Sequence, residues 1–250
     1  MNRIIKIPCL PENNVKHCLI GERYTEEISE LKELGIECIT LKKNNLLDDE
    51  ISCHADILAF NFGNGQVLLN RGIIGESELK KIGLEPIVSR AESSSPYPDD
   101  IPLNVAFTGK YIVCNSIYTA REIIGFAKQN NVEIINTRQG YTKCNLCIVS
   151  EDAIITEDKG LAYLLKNYQF NVLLISSGDI HLSEKHYGFL GGASCKISHN
   201  KMYFSGNLER HRDYKAIVNF LKLYNVEPIY NKSRKLTDFG GIIQLTEEIK

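Results

Sequence analysis

The chain repeats itself roughly every 40–50 residues, five times over, and self-similarity at such a period points to an array or a propeller. The clearest copy reads strand at 103–107, strand at 110–114, helix from Thr119 and strand at 132–136. The same order follows Tyr141 (144–149, 153–156, 158–168, 171–176) and Gly191 (193–198, 201–206, 213–224, 227–230). An earlier copy opens at His54 (56–60, 66–70, 77–83, 86–89). The fifth copy is divided between the ends. The C-terminus supplies a strand at 241–245 and stops. The N-terminus supplies a strand at 4–7, a helix at 23–34 and a strand at 36–41. Pairing the first and last strands closes the series and removes exposed sheet edges. The expected fold is therefore α/β: a five-bladed pseudo-symmetric propeller of strand-strand-helix-strand units, closed by the N- and C-terminal strands. It forms one domain over residues 1–250, because each unit needs its neighbours to bury its apolar faces.

The helices carry the stripes such packing needs. Tyr24, Ile28, Leu31 and Leu34 share a face before a stop at Gly35. Thr119 stands three residues before Glu122 as a capping box, ahead of Ile123, Ile124, Ala127 and a break at Asn130–Asn131. Ile217, Phe220 and Leu221 repeat the spacing near the end. Two irregular stretches stand out. The Ser- and Pro-rich segment Arg90–Asp100 is a loop, read either as a lid over one mouth of the ring or as surface decoration. The segment Ser176–Tyr187 carries His181 and His186, which are solvated histidines or ligand contacts.

A formal charge of −2 with no run of Lys or Arg disfavours nucleic acid and anionic membranes as partners. No stretch is long enough to span a bilayer and no secretory signal opens the chain, so the expected location is the cytoplasm. The eight cysteines are scattered through apolar strand patterns and read as reduced, mostly as small core residues. Cys144 and Cys147 form a single Cys-x-x-Cys without the second pair a zinc site needs, so neither metal nor cofactor is expected.

Short polar strings stand at the head of each unit's first strand: His54-Ala55-Asp56, Pro102-Leu103-Asn104, Lys143-Cys144-Asn145, Gly192-Ala193-Ser194 and Asp238-Phe239-Gly240-Gly241. Equivalent positions in a ring face one axis, which would gather Asp56, Asn104, Asn145, Ser194 and Asp238 around one cavity. Buried polar groups are costly unless paired or used. The cluster is therefore a polar ligand site or a set of locks around a water-filled pore. The chemical constellation within it is His54, Asp56 and Cys144. A thiol nucleophile needs a base or cation beside it, which His54 and Lys143 supply, while Asp56 orients the imidazole or holds a cationic substrate. His54 and Asp56, two apart, share a strand face, whereas adjacent Cys144 and Asn145 face opposite ways on a strand. If Asn145 faces the cavity, Cys144 is core. A metal at His54 and Asp56 would need a further ligand from another repeat.

Several strings resemble the pentein fold of the guanidino-group-modifying enzymes, the arginine and agmatine deiminases, amidinotransferases and dimethylarginine dimethylaminohydrolase. These are Cys9-Leu10-Pro11-Glu12, His54-Ala55-Asp56-Ile57-Leu58, Asn104-Val105-Ala106-Phe107-Thr108-Gly109 and Thr237-Asp238-Phe239-Gly240-Gly241. The resemblance covers the whole chain. It implies a catalytic histidine where this chain has Thr142, a nucleophilic cysteine where it has Gln244, and an acid where it has Asn104. Together with Gly140-Tyr141-Thr142-Lys143-Cys144 and Gly188-Phe189-Leu190-Gly191-Gly192-Ala193-Ser194, the strings are more similar still to an uncharacterised bacterial pentein-like family. The resemblance implies a hydrolase or transferase acting on a C–N bond of a guanidino- or amidino-like molecule in the central cavity, without the standard catalytic pair. The candidates are His54 and Cys144 for chemistry, and Asp56, Asn104, Thr142, Lys143, Asn145, Ser194 and Asp238 for binding a small polar or cationic molecule. The alternative is a non-catalytic binding module, as in the ribosome anti-association factor of this fold. The sequence leaves open which of the two it is, the substrate and the oligomeric state.

Overall fold

Alternating apolar strands, a helix and a further strand recur along the chain, and the computed structural model describes residues 2–74 and 76–249 of it. The N-terminus forms β1 (Asn2–Ile4), β2 (Val15–Gly21), α1 (Thr25–Glu33) and β3 (Glu37–Leu41). The first complete copy forms α2 (Ala55–Leu58), β4 (Ala59–Asn61), β5 (Gln66–Leu69), α3 (Glu76–Lys80) and β6 (Glu85–Val88). The next forms β7 (Ala106–Phe107), β8 (Tyr111–Cys114), α4 (Arg121–Gln129) and β9 (Glu133–Asn136). It is followed by α5 (Thr142–Asn145), β10 (Cys147–Ser150), β11 (Ala153–Thr156), α6 (Lys159–Asn167) and β12 (Asn171–Leu174). The last complete copy forms β13 (Ser194–Ser198), β14 (Lys201–Phe204), α7 (Tyr214–Leu223) and β15 (Glu227–Tyr230), and β16 (Ile243–Glu248) ends the chain.

These strands make five small sheets. In each complete copy the first two strands pair antiparallel, and the intervening helix brings the third back parallel to the second. The divided copy obeys the same rule with its parts drawn from both ends. β16 pairs antiparallel with β2, β2 pairs parallel with β3, and β1 adds a fourth strand on the far side of β16.

The repeat is also written in the helix stops. After α1, α3, α4, α6 and α7 the chain turns through a positive φ at Gly35, Gly83, Asn131, Gln169 and Asn225. The residue that follows donates its N–H five positions back each time: Ile36 to Leu31, Leu84 to Leu79, Val132 to Ala127, Phe170 to Leu165 and Val226 to Leu221. That is the Schellman closure, with an apolar residue at each end of the bond. Gln169 alone among the five is neither Gly nor Asn, and an L-residue in the left-handed region costs about 1–2 kcal/mol. Gln169→Gly should therefore stabilise the fold by roughly 0.5–1 kcal/mol after the extra entropy of glycine is set against it. A urea midpoint that stays put or falls would refute this.

Five apolar clusters lie between consecutive sheets. The first joins the terminal sheet to that of β4–β6 through Leu19, Leu41, Leu58, Val67 and Leu245. The next two join β4–β6 to β7–β9 through Phe60, Phe62 and Phe107, and β7–β9 to β10–β12 through Ala106, Val113 and Ile154. The fourth joins β10–β12 to β13–β15 through Val149, Ile155, Met202 and Phe204. The fifth joins β13–β15 back to the terminal sheet through Cys195, Tyr203, Ile20 and Phe239. Among the described residues no helix is long and apolar enough to cross a membrane.

Four local expectations need correction. The central strand of the divided copy is β2, at 15–21 where no strand is expected, and the strand expected at 4–7 shrinks to β1, which ends at Ile4 on the far side of β16. Residues 56–58 and 144–145 are not strand: each sits in a one-turn helix, α2 and α5, that precedes its strand. The helix α4 has no capping box. Its N-cap is Ala120, Thr119 Oγ1 donates to the Asn115 carbonyl, and Glu122 instead accepts the N–H of Arg90 from the preceding loop. Leu34, expected on the buried face of α1, is exposed, because the chain has already begun its turn there.

Candidate active site

α2 and α5 each follow a tight turn and end where a strand begins, so their side chains radiate around one helical turn instead of alternating. This is why Cys144 and its neighbours do not divide into inward and outward sets. His54 caps α2 at its N-terminus and is 1% exposed. Asp56 is the second residue of α2, and its N–H donates to the Gly240 carbonyl from the C-terminal segment. Cys144, on α5, is 3% exposed, and its Sγ donates to Asp56 Oδ2 at 3.1 Å.

Asn104 holds the two helices together. Its Nδ2 donates to Cys144 Sγ at 3.0 Å and to the Asp56 carbonyl at 3.2 Å. Its Oδ1 accepts the N–H groups of Lys143 and Cys144 at 2.9 and 3.4 Å. One amide thus ties the thiol to the backbone of Asp56, Lys143 and Cys144, linking its own copy of the repeat to two others. Asp238 completes the arrangement: its carboxylate accepts the N–H of Phe189 at 2.9 Å and of Gly240 at 3.0 Å, and its Oδ1 stands 3.8 Å from His54 Nδ1.

The electrostatics follow from burial. Desolvation pushes the Cys144 thiol well above its ordinary pKa, and the nearby Asp56 and Asp238 push the same way. Desolvation also raises Asp56 to about 7, against the pull of Lys143. His54 is driven below its usual value by burial, opposed by Asp238. At neutral pH the resting site therefore holds a neutral imidazole and a protonated thiol. Lys143 is buried too. Burial opposes its charge, yet Cys9, Asp56, Cys144 and Cys195 around it hold its pKa above the usual value. Those thiols are themselves shifted upward and neutral at pH 7, so Asp56 is the partner that counts.

Cys144 and His54 open onto a cleft of about 300 Å³ lined also by Asp48, Glu50, Tyr141, His186, Phe189 and Asp238. Among the described residues its lining includes three carboxylates and no Lys or Arg. Asp56 and Lys143 lie behind the thiol, against a much smaller cavity shared with Cys9 and Gln244.

Other residues singled out from sequence are spent elsewhere. Thr142 Oγ1 bonds the carbonyls of Asn104 and Val113. Ser194 Oγ donates to Leu190, and Asn145 Nδ2 to Tyr141. Gln244 gives its amide to the Lys196 carbonyl. The Arg90–Asp100 loop does not line the cleft, although its Tyr97 packs on Tyr141 and Asp100 accepts the Tyr141 hydroxyl. Of the two loop histidines, His186 lines the cleft and pairs with Glu50 at 2.8 Å, while His181 pairs in short bridges with Tyr187 and Thr237. Asp48 and Glu50 were legible only as an acidic run, which reads first as a solvated loop.

The model of a family of unknown function (DUF6873) matches residues 19–243, and the chain belongs to that family. No curated protein matches the sequence. Among solved structures it is similar to the agmatine deiminase of C. jejuni, at 13% identity and a TM-score of 0.57 over 92% of this chain and 90% of that one. It is also similar to an inosamine-phosphate amidinotransferase of Streptomyces griseus (10%, TM-score 0.56, covering 99% and 97%). A third likeness is to the dimethylarginine dimethylaminohydrolase of Pseudomonas aeruginosa (10%, TM-score 0.52, covering 94% and 100%). These likenesses show the pentein fold.

Proposed function

We propose that this DUF6873 member is a hydrolase or transferase acting on a C–N bond of a guanidino- or amidino-like cation held in the cleft. Its chemistry runs through Cys144, Asp56 and His54. The carrying observation is the Cys144 thiol, donating to Asp56 at 3.1 Å beside a cleft whose lining, among the described residues, carries carboxylates and no Lys or Arg; that negative lining favours a cation. On this reading the five sheets are blades of a closed propeller, sealed by the apolar clusters between consecutive sheets, and the cleft is one mouth of its axis. The solved neighbours include enzymes named as deiminases and amidinotransferases, which supports a C–N substrate class.

Asp238, Glu50 and Asp48 draw in the cation. Cys144 Sγ attacks the amidino carbon while its proton passes to Asp56. The C–N bond then breaks as Asp56 hands the proton to the His54 imidazole, which gives it to the departing amine. Water or a second amine displaces sulfur and restores the thiol. This route bypasses Thr142 and Gln244, whose side chains are committed to backbone partners.

The test compares two isosteric thiol reagents, 2-chloroacetamidine (a cation) and 2-chloroacetamide (neutral), with labelling resolved by mass spectrometry. A charge-assisted contact is worth about 1.5–3 kcal/mol, so Cys144 should prefer the cation by roughly 10-fold or more. The other cysteines should show no preference, and Asp238→Asn should remove it. Equal rates at Cys144 would sink the reading and leave a binding module without covalent chemistry.

A further inference from the structure

We propose that His54, Asp56 and Cys144 bind a thiophilic divalent cation of the zinc class, with a coordination position left open toward the cleft. One ligand atom from each residue lies within 4.8 Å of the others, and all three residues are buried. The groups are also short of partners. Neither His54 ring nitrogen nor Asp56 Oδ1 has a hydrogen-bond partner among the described residues. A buried polar atom left unpaired costs about 1–3 kcal/mol, and one ring nitrogen of His54 and a carboxylate oxygen of Asp56 lie within reach of the Cys144 sulfur. One ion would satisfy an imidazole nitrogen and a carboxylate oxygen together.

The donor set specifies the ion. One imidazole nitrogen, one thiolate and one carboxylate suit zinc, and the thiolate disfavours magnesium and calcium. Three protein ligands with an open fourth position is the pattern of a zinc site that also receives a ligand from solution. The surroundings match what holds such ligands in place. Asn104 Nδ2 donates to the sulfur at 3.0 Å, and the Asp238 carboxylate stands 3.8 Å from His54 Nδ1, close enough to attract the ring electrostatically. Charge balances as well, since Asp56, Asp238 and a Cys144 thiolate offset the Lys143 ammonium and a divalent ion. Uptake forms the metal–sulfur bond and expels the thiol proton to buffer.

The ion site does not rest on the reaction proposed above, and it competes with it, because a thiolate held by zinc is not free to attack. The full chain, stripped with a chelator, would be titrated with zinc chloride, and Cys144 alkylation by neutral chloroacetamide followed throughout. One ion per chain should bind, and saturation should slow Cys144 labelling about 10-fold or more. Cobalt(II) should give a thiolate charge-transfer band that Cys144→Ser removes. Asp56→Asn should weaken zinc binding by about 10-fold or more. Zinc uptake that is unchanged in Cys144→Ser, or that leaves wild-type Cys144 labelling undiminished, would overturn the proposal. The wild-type protection experiment decides even if a variant fails to fold. Zinc protection without the amidine preference would remove the reaction and keep the ion site, and the reverse would keep the reaction alone.

Discussion

Gly240→Ala should cost about 3–5 kcal/mol and abolish selective labelling of Cys144. Gly240 sits at φ +71, where a side chain is already strained, and a Cβ there would stand 2.5 Å from both the Cα and the Cβ of His54. Backbone cannot yield as the far end of a flexible side chain can. The same glycine accepts the Asp56 N–H through its carbonyl and donates its own N–H to Asp238, so moving it moves three site residues at once. Gly192→Ala should act similarly from the other side, its Cβ falling 2.1 Å from Asp238 Oδ1. Gly125 is the control. It lies within α4, and a methyl added there would meet nothing within 4 Å, so Gly125→Ala should stabilise by about 0.5–1 kcal/mol. Urea unfolding of the three variants checks the order. If Gly240→Ala unfolds with the wild-type midpoint, the close packing of the C-terminal segment on α2 is not what positions His54.

The scaffold was legible because it is written in periodicities that repeat. Hairpin, helix and strand recur with helix stops of the kind seen at Gly35 and Asn131, and the divided copy betrays itself by its missing halves. The stop at Gln169 carries no such mark, since glutamine seldom takes a positive φ. At the site, residue types were readable and directions were not. Strand alternation was the wrong rule for residues 55–58 and 142–145, which form single helical turns, and so Cys144 meets Asp56 instead of joining the core. Thr142, Asn145 and Ser194 look like ligands in sequence, yet their donor groups are taken by backbone carbonyls, those of Val113, Tyr141 and Leu190. The acidic rim comes from residues 48–50, far in sequence from Cys144, and only the packing of the N-terminal copy against the 182–189 segment puts Asp48 and Glu50 beside it.

Glu157→Gln should make the protein more stable than wild type above pH 8 while leaving it nearly unchanged near pH 5. Burial raises the Glu157 carboxyl to about 8, Asp238 adds to the rise, and the N–H of Leu190, donating at 3.0 Å, opposes it. Its second oxygen has no partner among the described residues. A folded-state pKa above the unfolded value means the folded chain holds this proton more tightly. That contribution is complete below about pH 4.3, the ordinary value for glutamate, and is lost as pH rises through the folded value. Each unit is worth about 1.4 kcal/mol, so the loss between pH 5 and pH 9 is roughly 3–5 kcal/mol. Glutamine keeps an oxygen for the Leu190 N–H and never ionises, so the difference between variant and wild-type urea midpoints should widen along that same window. Parallel curves would mean that Glu157 ionises freely in the folded state. The effect bears on the site because Leu190 leads into Gly191 and Gly192, whose backbone packs on Cys144 and Asp238. Ionising Glu157 would strain the segment that fixes Asp238, so selective labelling of Cys144 in the wild type should fade over the pH range where its stability falls and persist in Glu157→Gln.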